Sequence, residues 1–369
     1  MIPFVNLPEQ RNAYREELEK IEKEVLDSGC FIGGLQVQNL EKELSAYLEK
    51  GKKEAKPVKT VTCGSGTDAL TIALMALGLR PGDQVIVPNF TFIAPAESVA
   101  LLGGTPVFAD IHPRTLQISP DSVKKQIGPR TKGFIAVNLF GQCAPYKELR
   151  EIADQNGLWI IEDSAQAFGA TQCGTPACSF GDIAITSFYP TKPLGCYGDG
   201  GALFTSNGEL EEKIRMLANH GSKGHYQHQI IGMNSRLDAL QAAILRVKLR
   251  HLDQELDVRR QNAQKYDQFF SAIQGFEPQA TAAGNTSTYA QYTLLVDNRE
   301  GFIELLKKAD IPYCIHYPAT LSSQGCFKNM GQGYSETPAA EESSQKAISL
   351  PVCAFTDVSQ VISKLSQIL

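Results

Sequence analysis

Short apolar segments recur along the first half of the chain and alternate with segments of helical periodicity. The predicted strands lie at about 84–87, 106–110, 133–138, 158–162 and 183–188. Between them, apolar residues at helical spacing predict helices at 94–102 and 146–155. Short buried strands that alternate with helices are typical of a mainly parallel sheet covered on both faces. The expected fold class is therefore α/β.

Longer amphipathic segments flank this alternation. The pattern predicts one helix from about Glu9 to Leu26 and another from about Gln36 to Leu48, followed by a solvated, lysine-rich connection at 50–59. Asn207 is expected to cap a helix that ends at Leu217. A long helical stretch is predicted from about Leu237 to Ile273.

The pattern changes to short strands and helices from about Asn285 onward. A chain of 369 residues is roughly twice the usual domain size. We therefore predict a large domain over 1–250, which includes the N-terminal helices, and a smaller C-terminal α+β domain over 251–369.

Composition and charge exclude several classes of protein. The chain is 43% hydrophobic and 20% charged, and it has no apolar run near the roughly 18 residues that a membrane span needs. Its first residues lack a basic segment followed by an apolar one, which favours a cytoplasmic location. The formal net charge of −5 gives no basic footprint for nucleic acid. We expect neither nucleic acid nor membrane as a partner.

The cysteines and histidines do not predict a metal site. The nine cysteines are odd in number and never form a CxxC pair, which indicates reduced thiols. His220, His225 and His228 lie close together, but their spacing fits no single helix face and no cysteine or carboxylate joins them.

The sharpest candidate for chemistry is one lysine in the stretch 187–202, which reads SFYPTKPLGCYGDGGA. Pro190 and Pro193 stiffen the backbone around Lys192. Because its neighbours are apolar, aromatic or small, we expect its pKa to be lowered and its amine to be a usable nucleophile. The alternative is a surface loop whose lysine points at water, and a short motif alone does not separate the two.

A glycine-rich turn offers a place for a phosphate. The stretch VTCGSGTDAL predicts a strand, a turn and a helix, which places the backbone amides of Gly66 and Thr67 at a helix N-terminus. Unpaired N–H groups and the helix dipole favour an anion there. The alternative is an ordinary capped turn with Thr67 or Asp68 as the N-cap.

Three further candidates lie at the carboxyl ends of predicted strands, where ligand-binding residues gather in such sheets. Phe92 could stack on a flat ring, although plain core packing explains it equally well. Asp163 follows a buried apolar strand and needs a partner, and Gln166 comes three residues later. The strand at 183–188 delivers Ser187 and Lys192 to the same edge.

Together these residues suit pyridoxal 5′-phosphate. Lys192 would bond to its carbonyl carbon, Asp163 would pair with the pyridinium nitrogen, and Ser187 with Gly66 and Thr67 would hold the phosphate. The negative charge of Asp163 would keep the ring nitrogen protonated, so that the ring accepts electrons when a proton leaves the substrate.

The motifs that carry this set also resemble a known family. CGSGTDAL, PNFTFIAP, EDSAQAFGA, SFYPTKPLGCYGDGGA, NSRLDALQAAIL and IHYP occur in this order over nearly the whole chain. They are similar to the sugar aminotransferases of the DegT/DnrJ/EryC1/StrS family. The resemblance implies a fold-type I transferase dependent on pyridoxal phosphate, usually a homodimer with active sites at the subunit interface.

The resemblance also implies roles for individual residues in cofactor and substrate binding. It puts Phe92 on the cofactor ring, Gln166 at the side of its 3-hydroxyl group, and Asn234 at the phosphate of the neighbouring subunit's cofactor. The residues that match substrate-contacting positions of the family are Gly29, Phe31, Arg236, His316 and Tyr317. Phe31 stands where some relatives carry tyrosine. The ATLSSQ run at 319–324 departs from the sequence that is more usual in the family at this place.

The resemblance implies an aminotransferase that moves an amino group from L-glutamate to a keto group of a UDP- or TDP-linked sugar. The stretch from Gly221 to Leu245 resembles enzymes that aminate C3, which suggests a substrate such as UDP-2-acetamido-2-deoxy-3-oxo-D-glucuronate and a role in precursors of surface glycans or O-antigen. Lys192 stands where the family's dehydratases carry histidine. Amination at C4, an inosamine substrate, and a non-catalytic binding or regulatory protein remain alternatives.

Overall fold

The computed structural model describes residues 2–50, 57–328, 330 and 336–369. Most of the connection predicted at 50–59 lies outside these residues. The strands are β1 (Lys59–Cys63), β2 (Gln84–Pro88), β3 (Thr105–Ala109), β4 (Thr131–Val137), β5 (Trp159–Asp163), β6 (Thr171–Gln172), β7 (Thr175–Pro176), β8 (Ile183–Ser187), β9 (Gly201–Thr205), β10 (Ser222–Gly224), β11 (Gln227–His228), β12 (Phe276–Pro278), β13 (Asn285–Thr286), β14 (Tyr292–Val296) and β15 (Ala347–Leu350).

The α-helices cover both ends of the chain and the connections between strands. They are α1 (Leu7–Ala13), α2 (Arg15–Ser28), α3 (Gly34–Glu49), α4 (Gly66–Ala76), α5 (Ala94–Leu101), α6 (Pro120–Gln126), α7 (Tyr146–Asn156), α8 (Gly208–Ala218), α9 (Ala239–Phe270), α10 (Arg299–Lys308), α11 (Pro338–Lys346) and α12 (Val358–Leu365).

Seven strands form the central sheet, in the order β1-β9-β8-β5-β4-β2-β3. The neighbours from β8 to β3 pair in parallel, whereas β9 is antiparallel to both β8 and β1. In this register Asp163 lies opposite Val137 on one side and Ile185 on the other. The predicted mainly parallel sheet is confirmed, and the ends of β4, β5 and β8 meet at one edge.

Helices pack on both faces of this sheet, as predicted. On one face, α4, α5 and α8 bury a cluster that includes Leu70, Val99 and Ile161. The opposite face is covered by α3 and α9 over the β8 and β9 side, and by α6 and α7 over the β2, β4 and β5 side. Successive residues of β5 therefore point into different cores, because strand side chains alternate.

A smaller antiparallel sheet, in the order β12-β14-β15, lies in the C-terminal part. It buries an apolar cluster with α10, α12 and the second half of α9. This arrangement has the α+β character expected of that part. Helix α9 runs unbroken through residue 250, so the predicted boundary, which stays a prediction, falls inside a helix.

Two predicted helices differ from the structure. The helix expected at 9–26 is two helices, because the chain leaves helical geometry at Tyr14 (φ −111°, ψ 17°). The Tyr14 hydroxyl donates to Glu255 at 2.9 Å and its ring stacks on His251 at 4.2 Å, so contacts with α9 fix it there. Helix α9 is also shorter at both ends than the stretch predicted at 237–273. No helix in the described ranges is long and apolar enough to cross a membrane.

Candidate active site

A cavity of about 530 Å³ opens at the edge where β4, β5 and β8 end. Its wall contains the N-terminus of α4, the segment after β2 and the turn after β8. It brings together nine of the residues predicted from the sequence: Gly66, Thr67, Phe92, Asp163, Gln166, Ser187, Lys192, His316 and Tyr317. The structure therefore places the predicted phosphate, ring and lysine positions in one pocket.

Lys192 lies on a closed turn, residues 189–196, which we call the lysine turn. Its backbone N–H donates to the Tyr189 carbonyl at 2.9 Å, and the Cys196 N–H donates to the Phe188 carbonyl at 2.8 Å. At Gly195 an added Cβ would lie 2.5 Å from the Pro190 carbonyl oxygen, so only glycine fits. Burial lowers the pKa of Lys192, while the charge of Asp163 acts in the opposite direction.

Asp163 forms the floor of the pocket at the end of β5. It is 5% exposed, and one of its carboxylate oxygens accepts a hydrogen bond from the Ala165 N–H at 3.0 Å. Burial raises the pKa of Asp163 to about 6; the Ala165 N–H and the charge of Lys192 oppose this rise, and Glu162 adds to it. A buried carboxylate with so few donors favours a cationic partner in the pocket.

The N-terminus of α4 forms the anion-binding side of the pocket. Ser65 is its N-cap, and the Ser65 hydroxyl accepts from the Asp68 N–H at 3.0 Å. The helix therefore begins two residues earlier than an N-cap at Thr67 would require, and three earlier than one at Asp68. Gly66 packs against Ser187 so closely that an added Cβ would lie 2.7 Å from the Ser187 Cβ. The N–H groups of Gly66 and Thr67 belong to the first turn, where helices leave donors without an internal partner.

Aromatic and amide side chains form the opposite wall. Phe92 is 54% exposed, so the core-packing alternative is wrong, and its ring centroid lies 6.2 Å from that of Tyr317. The Tyr317 hydroxyl accepts from the Gln166 amide at 3.3 Å. His316 lies 3.1 Å from the Ser349 hydroxyl through Nδ1. Burial, together with the charge of Lys192, lowers the pKa of His316 to about 4, so its ring is neutral at neutral pH.

The pocket also contains polar residues that were not predicted from the sequence. These are Ser65, Thr91, Tyr189, Thr191, Asp199 and Gln291. Thr91 is next to Phe92 and Asp199 lies in the glycine-rich run, so both were within motifs already noted. Gln291 had no local signal. Among the described residues, the Thr91 hydroxyl and the Gln291 carbonyl oxygen are buried without a hydrogen-bond partner.

Four predicted residues lie outside this pocket. Gly29, Phe31, Asn234 and Arg236 are all on the exposed surface. The Phe31 carbonyl accepts from the Ala239 N–H at 2.8 Å, which places the turn after α2 beside the start of α9. Within one chain these residues do not contact the cavity, so their predicted roles stay predictions.

The three histidines near 220–228 are exposed and lie in or beside the short hairpin of β10 and β11. The His228 ring nitrogen Nδ1 is 2.8 Å from the His220 carbonyl oxygen. In the part of the chain that the structure describes, no group of three or more histidine, cysteine, aspartate or glutamate side chains is arranged to hold a metal.

Comparison with known families shows which family the chain belongs to. The model of the DegT/DnrJ/EryC1/StrS aminotransferase family matches residues 12–366. The chain belongs to this family. Its fold agrees, since a solved structure of Streptomyces venezuelae DesV in complex with a ketimine intermediate superposes with a TM-score of 0.94 at 36% identity, covering 99% of this chain and 98% of that one.

Curated relatives of this aminotransferase carry two kinds of name. The UDP-2-acetamido-2-deoxy-3-oxo-D-glucuronate aminotransferase of Pseudomonas aeruginosa is 41% identical over 98% of each chain. A protein of Geobacillus stearothermophilus that is 39% identical, over 95% of this chain and 93% of its own, is named a pleiotropic regulatory protein.

The predicted cofactor is confirmed at the level of the family, whose aminotransferases depend on pyridoxal phosphate. The residues present also fit it. The pocket offers a buried carboxylate for a ring nitrogen, a helix N-terminus for a phosphate and an exposed aromatic face. The unpartnered polar atoms of Thr91 and Gln291 give further hydrogen-bonding capacity to a bound group.

Proposed function

We propose that this aminotransferase moves an amino group from L-glutamate to the C3 keto group of a nucleotide-linked sugar such as UDP-2-acetamido-2-deoxy-3-oxo-D-glucuronate. The observation that carries the proposal is that one pocket is lined by both Lys192 and the buried Asp163. The 3-oxo sugar in the name of the Pseudomonas aeruginosa relative supports the choice of C3. We also propose a role in making precursors of surface glycans or O-antigen.

Each pocket residue has a place in this chemistry. Asp163 would hold the ring nitrogen of the cofactor, Phe92 would lie against the ring, and Gly66, Thr67 and Ser187 would hold the phosphate, with Gln166 beside the ring. When bound, pyridoxal phosphate supplies an electrophilic carbon and an electron-accepting ring.

Lys192 is the residue that transfers the proton of the amino donor's α-carbon in the proposed reaction. Its amine has a lowered pKa because of burial, so a neutral form that can accept a proton is accessible. We propose that the Lys192 amine takes the proton from the α-carbon of the amino donor and delivers it to the carbon of the cofactor that carried the carbonyl group. His316, neutral and close to Tyr317 at the pocket wall, can accept or donate a hydrogen bond to a sugar hydroxyl without adding charge.

We propose that the enzyme works as a homodimer. Leu26, Phe31, Ile32 and Leu35 are large apolar side chains that are at least half exposed, and they lie around the turn at Gly29. An exposed apolar group of this size favours a protein interface. Asn234 and Arg236, exposed on the neighbouring segment, would then reach the partner subunit's pocket. Arg236 would supply a cation for the substrate, since Lys192 and the neutral His316 are the basic side chains that line this pocket in the described chain.

The test begins with the absorbance spectrum of the purified protein. We expect a visible band of bound cofactor that disappears when L-glutamate is added, with L-aspartate as the control donor. UDP- and TDP-linked sugars with a keto group at C3 or C4 are then supplied, and the position of the new amine is read by NMR.

The possible results distinguish a C3 aminotransferase from a C4 aminotransferase and from a regulatory protein. Amination at C3 of a UDP-sugar supports the proposal, and amination only at C4 would assign the enzyme to the alternative regioselectivity. A protein that binds the cofactor but reacts with no amino donor would favour the regulatory function suggested by the name of the Geobacillus stearothermophilus relative.

A further inference from the structure

A second buried lysine lies behind the lysine turn, outside the pocket. Lys248, on α9, is 2% exposed. Its amine donates to the Gly195 carbonyl at 2.7 Å and lies 4.3 Å above the ring centroid of Tyr197. Burying an ammonium group is costly, and both contacts that compensate this one are made to the segment that carries Lys192.

The groups that face Lys248 come from two elements. Glu255 lies about two turns further along α9, and its carboxylate accepts from Gln10 at 2.9 Å and from Tyr14 at 2.9 Å. Cys196, the last residue of the lysine turn, and Tyr197, the residue after it, also face Lys248. Burial lowers the pKa of Lys248 to about 8, and the nearby Glu255 and Cys196 oppose that change.

Buried polar side chains also lie close to Lys192 itself. A small cavity of about 10 Å³ lies between the lysine turn and α9, and its lining includes Pro190, Lys192, Gln10, Glu255 and Arg259. The lysine turn therefore forms a wall with the active-site pocket on one side and buried polar groups of α9 on the other.

We propose that Lys248 is a positioning residue that fixes the direction of Lys192 by holding the Gly195 carbonyl. The turn is closed by the bonds from Lys192 to Tyr189 and from Cys196 to Phe188, so a shift of Gly195 is passed to Lys192. The backbone of Gly195 is already in close contact with the Pro190 carbonyl group, so it has no room to move in that direction. The amine of Lys248 fixes its carbonyl from the side of α9.

This inference rests on the proposed role of Lys192, and its test does not depend on the sugar. The holoenzyme carries Lys248→Met, which removes the donor, or Lys248→Arg, which keeps a charged donor. Lys213→Met is the matched control, because Lys213 also donates to a single backbone carbonyl, that of Ala76, at 2.7 Å. The first readout is the pH midpoint of the visible band of bound cofactor, which needs no donor or sugar. The second is the rate of band loss with L-glutamate.

In the Lys248→Met enzyme we expect the midpoint to move by about one pH unit, a tenfold change in proton affinity. Band loss should slow by roughly 10²-fold at saturating glutamate, the size of effect that a misplaced reacting group produces. The glutamate concentration for half-maximal rate should change little. Lys248→Arg should restore most of the wild-type pH midpoint and of the wild-type rate of band loss. Lys213→Met should change neither quantity.

A wild-type midpoint and rate in Lys248→Met would overturn the inference, even if the protein unfolds at a lower temperature. If Lys248→Met does not fold, Lys248→Gln, whose side chain is shorter than lysine, takes its place with the same two outcomes. A wild-type protein whose band does not respond to glutamate contradicts the proposed function instead. The midpoint comparison still tests the position of Lys192 in that case.

Discussion

Two adjacent carboxylates at the end of β5 have opposite surroundings. Glu162 points into the core covered by α6 and α7, and its oxygens accept from five donors at 2.6 to 3.4 Å, contributed by Asn138, Ser164, Cys178, Phe180 and Gly181. Asp163 points into the pocket and accepts from the Ala165 N–H at 3.0 Å. Both are almost fully buried.

The difference separates a structural acid from a functional one. The donors around Glu162 come mainly from the backbone of the 178–181 loop, so this carboxylate holds the loop in place. Burial raises the pKa of both acids, that of Asp163 to about 6, but Asp163 is short of donors. Its unsatisfied charge is available to a cationic partner, which is what the ring nitrogen of the proposed cofactor would provide.

Removing the cation that faces Asp163 has the largest expected effect. Lys192→Ala should reduce turnover by more than about 10⁴-fold, because a positioned proton-transfer group alone contributes ~10²–10⁴-fold and the bond to the cofactor is lost as well. The measurement is the steady-state rate with L-glutamate and a 3-keto sugar, with Lys213→Ala as the control. Turnover within tenfold of wild type would remove Lys192 from the mechanism.

Neutralising the functional acid should separate activity from stability. Asp163→Asn should slow proton transfer by roughly 10²-fold, since the ring nitrogen loses its charged partner. The cofactor-free protein should become more stable above pH 6. The folded-state pKa, about 6, lies above the ordinary value of 3.8, so stability falls as pH rises between these values and the cost, on the order of 3 kcal/mol, is fully present above pH 6.

The check is thermal unfolding of cofactor-free protein at pH 8 and at pH 4. The gain in the Asp163→Asn variant should be seen at pH 8 and should vanish at pH 4. Equal unfolding temperatures at pH 8 would show that Asp163 carries no such cost.

Neutralising Glu162, the structural acid, should lower stability and leave activity nearly unchanged. Glu162→Gln turns one acceptor oxygen into a donor that faces backbone N–H groups, so we expect a loss of about 2–4 kcal/mol in the free energy of unfolding. The rate per folded molecule should change less than tenfold. Denaturant unfolding and kcat, measured beside the exposed Glu304→Gln on α10, test this. A stable Glu162→Gln with crippled kcat would reverse the assignment of the two acids.

Local signals in the sequence predicted the centre of the site. Asp163 follows an apolar strand, and Lys192 lies between two prolines, so both could be selected without knowledge of distant contacts. The parallel strands β2, β3, β4, β5 and β8 of the central sheet were predicted to within a few residues for the same reason.

Long-range contacts explain what the sequence did not reveal. Tyr14 interrupts an otherwise helical pattern because of Glu255 and His251, more than 230 positions away. Lys248 has the spacing of an ordinary cation on a long helix, and only the packing of the lysine turn buries it. Gln291 reaches the pocket through the path of the chain before β14, which no local motif encodes.

The contacts between the two ends of the chain also determine when the pocket can exist during synthesis. Asn6 donates from its backbone to the Cys353 sulfur at 3.4 Å and from its side chain to the Phe355 carbonyl at 3.1 Å, and His316 is held by Ser349. The ribosome must therefore make the chain at least through Phe355 before these contacts can form. Until then the contact of Ser349 with His316, a residue of the pocket wall, is missing.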